Sequence, residues 1–304
     1  MNHKMSEFDF VFLSFDEPNA EILYSELVDL VPWAKRVHGV KGFDAAHRRC
    51  AAVSDTDFFV TVDGDNSIYP EFLDIEININ DDQHDHAWTW AGRNHINGLV
   101  YGNGGLKLWS KSFVMGMNSH ENAKDPASRV DFCWSPGYHE MQGCYSTSMV
   151  NGSPEQAWRS GFREGVKMSL DRGMKVDPRE FHDRIWFGNV NRLCIWSRVG
   201  MDVDNGIWAI YGARMGCHLS TMLDDDHGII SDYDKMHDLW EKIKNDDPLE
   251  CSRTLGLTLT PQLGLDLSLL SPDDSRFFKR VYMNPPRPWM GSDQIKHFMA
   301  IKHV

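Results

Sequence analysis

Two aspartates separated by one residue follow a short apolar run, and that spacing could hold a divalent cation. The run covers residues 58–62 and is followed by Asp63, Gly64 and Asp65. Mg²⁺ and Mn²⁺ prefer oxygen ligands and are commonly bound by one or two carboxylates together with phosphate and water. Aspartate beside glycine or asparagine is also a frequent turn residue where a strand ends. The stretch alone therefore predicts either a metal site or an ordinary turn.

The segments before these aspartates alternate between strand-like and helix-like patterns. Strands are predicted at 8–15, 34–40 and 58–62, and helices at 18–31 and 43–55. The third strand is apolar on both faces, which indicates a parallel sheet covered by helices. Ligands of such sheets bind outside the carboxyl ends of the strands, at the point where the strand order reverses. The expected fold brings the two aspartates to that crevice and so favours a metal site.

A glycine-rich stretch over residues 97–111 is the second feature that could line a ligand site. Gly104 and Gly105 interrupt an apolar run that resumes at Leu106. Glycine in such a pattern marks the close approach of the backbone to another group. We expect a side chain at Gly105 to fill space that a ligand needs. The alternative is a hairpin turn on Asn103-Gly104, which is compatible with a ligand floor.

The composition is that of an ordinary globular protein of 304 residues, with 41% hydrophobic and 25% charged residues. No apolar run is long enough to span a bilayer, and the first residues lack the apolar core of a signal peptide. Six cysteines are scattered without a C-x-x-C pair, which favours reduced thiols over zinc knuckles or disulfides. The expected location is the cytoplasm, that of the host if the protein is viral.

The net charge of −13 argues against a surface built uniformly for nucleic acid, but the charge is unevenly distributed. Residues 156–200 hold nine Lys and Arg against five Asp and Glu, and residues 276–304 hold six against one. Basic and aromatic residues are interleaved in the second segment, a pattern that suits phosphate contact and stacking on an extruded base. An acidic protein with two basic segments can still bind a polyanion locally.

The clearest helix start lies at the beginning of the first basic segment. Ser153 is an N-cap, Pro154 occupies the first turn, and Gln156 completes a capping box. A buried stripe with a repeat of four residues is formed by Trp158, Phe162, Val166 and Leu170. An adjacent basic stripe is formed by Arg159, Arg163 and Lys167. The basic stripe is either a solvated face or a phosphate-binding surface.

These patterns together resemble a known family. The first 66 residues are similar to the nucleotide-binding half of GT-A-fold glycosyltransferases, which ends in a D-x-D motif matched here by Asp63-Gly64-Asp65. The stretch from Gly104 to Ser110 looks like the glycine-rich strand that floors their donor sites. The segments SPEQAWRSGFREGVK and WAIYGARMG also look similar to glycosyltransferases of tailed bacteriophages, some of which decorate hydroxymethylated pyrimidines in viral DNA.

The resemblance implies an α/β fold with a GT-A-like, Rossmann-related open mixed sheet flanked by helices. The implied domain covers residues 1–245, with a nucleotide-sugar half over 1–110 and an acceptor half over 111–245. Residues 246–304 form a C-terminal extension that wraps the domain, because their apolar periodicity is weak.

The implied activity is metal-dependent transfer of a sugar, glucose or a pentose such as arabinose, from a nucleoside diphosphate donor. UDP-sugar is the expected donor, Mn²⁺ or Mg²⁺ the expected cofactor, and DNA with a pyrimidine of the 5-hydroxymethylcytosine type the expected acceptor. One alternative keeps the chemistry and changes the acceptor to a glycan, a protein or a small molecule. The other is a non-catalytic module that binds a nucleotide in the same crevice.

The resemblance assigns the metal to Asp65 and Asp63, and Asp63 could also reach the ribose or a metal-bound water. A late histidine is the expected third ligand in this fold class, and His227 and His218 are the candidates. Both histidines could equally be structural or simply exposed.

The base and the ribose are expected over the ends of the first two strands. Phe15 would wall or stack on the base, and Asp16 or Glu17 would accept a hydrogen bond from its edge. Lys41 and Arg48 are the cations expected to meet phosphate, although each could be an ordinary surface charge. The other expected nucleotide-sugar residues are Asp63, Gly104 and Gly105.

The acceptor hydroxyl must lose a proton as it attacks, so an inverting enzyme needs a carboxylate within hydrogen-bond reach. Asp131 and Glu140 are the candidates for this general base, with Asp131 favoured. Arg159, Arg163 and Lys167 are the expected contacts to the phosphates of DNA. The sequence leaves open whether the configuration of the sugar is inverted or retained.

Overall fold

The computed structural model describes residues 2–119, 137–223 and 227–281, which form two compact units. The first unit combines Met1–His95 with Val100–Met149. The second unit combines Ile96–Leu99 with the chain from Val150 onward. The boundary between compact units thus falls at residue 150, whereas the functional division into donor and acceptor halves stays a prediction.

The first unit is mixed α/β. Its strands are β1 (Asn2–Lys4), β2 (Asp9–Ser14), β3 (Lys35–His38), β4 (Phe58–Asp63), β5 (Asn66–Ile68), β6 (Glu76–Asn78), β7 (Ala87–Asn94), β8 (Val100–Tyr101), β9 (Lys107–Ser110) and β10 (Tyr138–Ser148), and its helices are α1 (Ala20–Leu30), α2 (Phe43–Val53) and α3 (Lys111–Gly116). The predicted β-α-β-α-β order of the first 66 residues is confirmed.

The main sheet is mixed, with the strand order β3-β2-β4-β9-β7-β10-β5 and with β8 paired to β7. Strand β2 is parallel to β3 and to β4, and β7 is parallel to β10. Strand β9 runs antiparallel between β4 and β7. The carboxyl ends of β2, β3, β4, β7 and β10 therefore lie at one edge of the sheet, here called the carboxyl edge.

Side chains alternate across β2 so that helices cover both faces of the sheet. Phe12 belongs to the buried cluster that contains Leu27 of α1. Val11 faces the opposite way, into a cluster with Ala51 of α2 and Phe113 of α3. This alternation is the reason why β2 tolerates no polar residue along its centre.

The glycine-rich stretch does not form a hairpin. Strands β8 and β9 pair with β7 and not with each other, at Val100–Arg93 and at Lys107–Thr89. A Cβ atom at Gly105 would lie 2.2 Å from the backbone oxygen of Trp90. Gly105 is therefore required by the approach of two backbones, and the hairpin alternative on Asn103-Gly104 is wrong.

The described part of the second unit is helical. Its helices are α4 (Pro154–Met168), α5 (Phe181–Arg184), α6 (Phe187–Trp196), α7 (Gly206–Met222), α8 (Tyr233–Ile243), α9 (Pro248–Leu263) and α10 (Pro272–Val281). Ser153 caps α4 as predicted, since its side chain accepts a hydrogen bond from the Gln156 N–H. The Gln156 carboxamide accepts in turn from the backbone of Gly152, one residue before the cap.

Helices α4 and α7 meet along a seam of four glycines. Cβ atoms at Gly161 and Gly165 of α4 would lie 2.0 and 2.1 Å from backbone oxygens of α7. Cβ atoms at Gly212 and Gly216 of α7 would lie 2.2 Å from backbone oxygens of α4. The two backbones therefore touch directly, and each helix carries its glycines four residues apart to allow this contact.

The predicted C-terminal extension begins with helices in the described part of the chain, and its role as a wrapping segment stays a prediction. Residues 248–281 contain α9 and α10, and the buried guanidinium of Arg214 fixes this region to α7. Arg214 donates to the backbone oxygens of Ser197, Ser252 and Leu267. Burial lowers the pKa of Arg214 to about 10, and the nearby charge of Arg198 acts in the same direction. Residues 282–304 lie outside the described part of the chain.

Across the described ranges, no helix has both the length and the apolar character that crossing a membrane requires.

Candidate functional site

The carboxyl edge of the first unit contains the point where the strand order reverses. The chain passes from β2 outward to β3 and then returns to the other side of β2 as β4. Ligands of open α/β sheets bind at such a switch point, in the crevice outside the carboxyl ends of the strands. Glu17 follows β2, Asp63 ends β4 and Asp65 follows it, so the local sequence supplies three carboxylates at this position.

Glu17 lies against the aspartate turn, which is formed by Asp63, Gly64 and Asp65, and its role toward the base stays a prediction. Its Oε2 atom accepts a hydrogen bond of 2.7 Å from the Phe15 N–H. A Cβ atom at Gly64 would lie 2.6 Å from this same oxygen and 2.8 Å from Ser14 Cβ. Gly64 thus allows the turn after β4 to approach the turn after β2.

Lys107 is a site residue that sequence reasoning missed. Its Nζ atom lies 3.1 Å from Asp63 Oδ2 and donates to the Gly105 backbone oxygen at 3.2 Å. The Lys107 side chain is only 6% exposed, so its charge depends on these partners. The available signal was a lysine inside the otherwise apolar strand β9, because a buried lysine needs a partner of opposite charge.

Burial and neighbouring negative charges raise the pKa of two carboxyl groups at this edge, Asp65 and Glu17. Burial raises the pKa of Asp65 to about 7, and the charges of Asp63 and Glu17 act in the same direction. Burial also raises the pKa of Glu17. Because the single charge of Lys107 faces three carboxylates, the edge favours a further positive charge, which a divalent cation or a proton can supply.

Asn66 links the aspartate turn to the glycine-rich stretch. Its amide nitrogen lies 3.3 Å from Asp65 Oδ1 and 3.1 Å from the Gly104 oxygen. Ser148 Oγ lies 2.9 Å from the same Gly104 oxygen and 3.2 Å from Asn66 Oδ1, and donates to one of them at a time. The Met149 N–H also donates to the Asp65 backbone oxygen at 2.6 Å. The structure therefore brings together the two motifs that the sequence singled out.

The atoms available as metal ligands at this edge are carboxylate oxygens, which suit Mg²⁺ or Mn²⁺. Within residues 2–119, 137–223 and 227–281, no group of three or more His, Cys, Asp and Glu side chains is arranged to hold a metal ion. A cation bound by Asp63 and Asp65 would thus need oxygen ligands from phosphate and water, as magnesium sites in nucleotide-binding proteins commonly have.

The residues that were expected to contact the base and the phosphates lie in different local environments. Phe15 is 46% exposed just after β2, beside Asp16. Lys41 is exposed in the loop between β3 and α2, at the carboxyl edge. Arg48 lies within α2, where its guanidinium donates to the Met117 backbone oxygen at 3.2 Å. A structural hydrogen bond therefore accounts for Arg48, and its role with phosphate stays a prediction.

Glu140, one of the two general-base candidates, does not lie beside the aspartates. Glu140 pairs with Thr89 in the parallel register of β10 and β7, whereas Ser148 at the carboxyl edge pairs with Asn94. Five residues of β7 separate these positions, a distance of roughly 17 Å along a strand. Glu140 therefore lies toward the opposite edge of the sheet, and the geometry does not support it as the base. Asp131 lies outside the described residues.

The histidines proposed as metal ligands belong to the second unit. His227 opens a short 3₁₀ helix (His227–Ser231), and its Nε2 atom lies 3.1 Å from the Gly173 oxygen. His218 lies on α7, where burial lowers its pKa. These local environments account for both side chains, and their role at a metal stays a prediction.

Two of the three residues in the basic stripe of α4 lie beside an exposed tyrosine. The guanidinium carbons of Arg159 and Arg163 lie 4.9 and 5.5 Å from the ring centre of Tyr233. Arg163 also donates to the Tyr233 hydroxyl at 3.1 Å. Lys167 pairs instead with Glu164 at 3.3 Å. Two of the three predicted phosphate contacts thus share one aromatic neighbour, and the third is neutralised locally.

We expect the metal-free protein to lose stability as the pH rises from about 4 to about 7. The unfolded chain releases the Asp65 proton near pH 4, whereas the folded protein retains it until about pH 7. Folding therefore becomes less favourable over this interval and levels off above it. Urea unfolding at pH 5.5 and 7.5 in chelator measures the difference, which Asp65→Asn should reduce. An unchanged pH dependence in Asp65→Asn would contradict the raised pKa.

Gly104 and Gly105 should respond differently to substitution. A Cβ atom at Gly104 would meet only Ser148 Oγ at 3.7 Å, an ordinary contact. Gly104→Val is therefore expected to keep the free energy of unfolding within about 0.5 kcal/mol of the parent and to weaken nucleotide binding. Gly105→Ala should instead cost about 3 kcal/mol, because its Cβ would collide with the backbone of β7. Urea unfolding and nucleotide titration test both, and equal stability losses would contradict the distinction.

Comparison of the chain with protein-family models, with curated proteins and with solved structures found no match. The chemistry of the site is therefore inferred from its own side chains. It combines clustered carboxylates, one buried lysine and a glycine-rich segment at the crevice of an open sheet, an arrangement that can bind a cation together with a diphosphate.

Proposed function

We propose that the chain is a metal-dependent glycosyltransferase that uses a nucleoside diphosphate sugar. The observation that carries this proposal is the convergence of Glu17, Asp63 and Asp65 at the crevice between β2 and β4, with raised pKa values for Glu17 and Asp65. Such an edge favours binding of a divalent cation, and a cation with open positions favours binding of a diphosphate. The strand order around this crevice also supports a GT-A-like fold.

The leaving group of the reaction is a nucleoside diphosphate, which develops negative charge as the bond to the sugar breaks. Bound Mg²⁺ or Mn²⁺ would supply Lewis acidity to the diphosphate oxygens. Asp63 and Asp65 would hold the cation, and Asn66 keeps the Asp65 carboxylate oriented through its hydrogen bond. Lys107 fixes Asp63 and adds a positive charge beneath the site. Gly104 leaves room beside Ser148 for the sugar.

We further propose DNA that carries a hydroxymethylated pyrimidine as the acceptor. The support comes from Arg159 and Arg163, which flank the exposed ring of Tyr233 on the second unit. Cations beside an exposed aromatic ring suit contact with phosphate and stacking on an unpaired base. The basic residues of α10 and of the chain after it are a second candidate surface.

The decisive experiment measures turnover of a panel of nucleotide sugars with and without hydroxymethylated duplex DNA, in Mn²⁺ and in chelator. The proposal expects slow metal-dependent hydrolysis of one donor without acceptor, and faster consumption with the modified DNA. Consumption of donor with a glycan, a protein or a small molecule instead would replace the DNA acceptor. Binding of nucleotide with no consumption of any donor would favour the non-catalytic module.

The salt dependence of DNA affinity should identify the contacts on α4. Replacement of Arg159 and Arg163 by Gln is expected to flatten the slope of log affinity against log salt by about two units, one for each phosphate contact. Lys167→Gln is the matched control and should leave the slope unchanged, because Lys167 already pairs with Glu164. Donor hydrolysis should be unaffected in both proteins. A slope unchanged in the double variant would remove α4 from the DNA site.

A further inference from the structure

Two histidine rings meet at the amino ends of the parallel strands β7 and β10. His86 directly precedes β7, and His139 is the second residue of β10, where it pairs in register with Trp88. The His139 Nε2 atom lies 2.8 Å from the His86 Nδ1 atom. The eight residues of β7 separate this contact from the carboxyl edge by roughly 25 Å, so the two histidines are independent of the aspartate turn.

The groups around the two rings fix their orientation. The indole of Trp88 is 4% exposed, and its ring centre lies 5.8 Å from that of His139 and 6.2 Å from that of His86. Asp85 Oδ1 lies 3.7 Å from His86 Nε2, the ring nitrogen that does not contact His139. A carboxylate on this side favours the tautomer of His86 that carries its proton on Nε2. The lone pair of His86 Nδ1 therefore faces His139, and the His139 Nε2–H donates to it.

A shift of one proton within this pair would create a metal-binding geometry. A neutral imidazole can carry its proton on either nitrogen, so a shift of the His139 proton to Nδ1 would direct a second lone pair at the same point. Burial lowers the pKa of His139, and the charge of His86 acts in the same direction, which favours the neutral ring at pH 7. Two nitrogens on one tetrahedral zinc ion lie about 3.3 Å apart, because each Zn–N bond is about 2.0–2.1 Å long. The pair would need to open by only about 0.5 Å.

We propose that His86 Nδ1 and His139 Nε2 bind a zinc ion, with Asp85 as the carboxylate that holds the His86 ring. Imidazole suits Zn²⁺, whereas Mg²⁺ and Mn²⁺ prefer oxygen ligands, so this site differs in chemistry from the cation site at Asp63 and Asp65. No third His, Cys, Asp or Glu ligand joins the pair within the described ranges, and water would complete the coordination. The His86 side chain is 23% exposed, which gives the ion and its waters access to the pair. This site does not depend on the proposed sugar transfer.

Calorimetric titration of the metal-free protein with ZnCl₂ at pH 7.5 tests this site, in excess Mg²⁺ so that the carboxylate edge is occupied. The parent should bind one equivalent of Zn²⁺, and its thermal midpoint should rise with the Zn²⁺ concentration. His86→Gln and His139→Gln should each weaken binding by at least about a hundredfold, and Asp85→Asn by about tenfold. His84→Gln is the matched control and should leave the affinity unchanged, because His84 belongs to the same segment but its ring lies beside that of Phe58.

The pH dependence of the parent supplies a test that needs no variant. Protonation of an imidazole competes with the metal, so the affinity for Zn²⁺ should fall by about tenfold between pH 7.5 and pH 5.5. Circular dichroism at both pH values and for each variant confirms the fold. A parent that binds no Zn²⁺ in excess Mg²⁺, an affinity that is the same at both pH values, or folded His86→Gln and His139→Gln proteins with the parent's affinity would overturn the zinc site. The contact would then be a structural hydrogen bond between two neutral rings.

Discussion

Replacement of Asp65 by Asn is expected to lower the rate of sugar transfer by about 10³-fold while the protein remains folded, a loss of about 4 kcal/mol in transition-state stabilisation. Asparagine keeps the shape of the side chain but removes the negative charge that would hold the cation. Burial already disfavours the charged form of Asp65 and raises its pKa to about 7, so a neutral amide should not weaken the fold. Initial rates of donor hydrolysis and of transfer in Mn²⁺ measure the effect.

Two further variants, a control and a comparison within the site, help to interpret the result for Asp65→Asn. Asp81→Asn changes an exposed aspartate of the same unit and should leave the rate unchanged. Asp63→Asn should lower both the rate and the stability, because Lys107 would lose its partner while it remains buried. A folded Asp65→Asn protein with more than about a tenth of the parent rate would contradict a metal role for the aspartate turn.

Substitution within the glycine seam should destabilise the protein as strongly as Gly105→Ala. Gly165→Ala and Gly212→Ala are each expected to cost about 3 kcal/mol, because the added Cβ would meet a backbone oxygen of the facing helix at 2.1 or 2.2 Å. A backbone cannot rotate out of the way as a side chain can, so α4 and α7 must separate. Urea unfolding followed by far-ultraviolet circular dichroism measures the loss.

Gly116→Ala supplies the control for the glycine seam. Gly116 ends α3, and a Cβ atom there would have no neighbour within 4 Å. Alanine at this position should leave stability unchanged or raise it slightly, because alanine has the higher helix propensity. A Gly165→Ala protein as stable as the Gly116→Ala protein would show that the two helices have room between them.

The parts of the fold that sequence patterns predicted are those governed by local periodicity. The strand at 58–62 was evident from an unbroken apolar run, and helix α4 from Ser153 and a stripe repeated every four residues. Helix α9 has weak apolar periodicity, and the contact of its Ser252 oxygen with the Arg214 guanidinium leaves no signal in its own sequence. Helix α10 was missed although Pro272 marks its start and Ser275 and Phe278 mark a buried face.

The candidate site was predictable in its aspartates and not in its supporting residues. Asp63 and Asp65 end a recognisable strand, so their place at the carboxyl edge follows from strand direction. Lys107 and Asn66 act through residues more than thirty-five positions away in sequence, and only the pairing of β9 with β4 shows this. The spacing of the seam glycines was visible, but its meaning required knowledge of which helices face each other.

Strand β10 lies between β7 and β5 in the sheet but follows both of them in the chain, and this order affects folding during synthesis. Ser148, which closes the network at Asn66, follows it by 82 residues in the chain. At roughly 5–20 residues per second, a ribosome needs about 4–16 s to synthesise this interval. During that time β5 and β7 each expose an unpaired edge that invites association with other chains. The aspartate turn should therefore gain its final support only after synthesis has passed residue 149, and a nascent chain arrested earlier should be prone to aggregation.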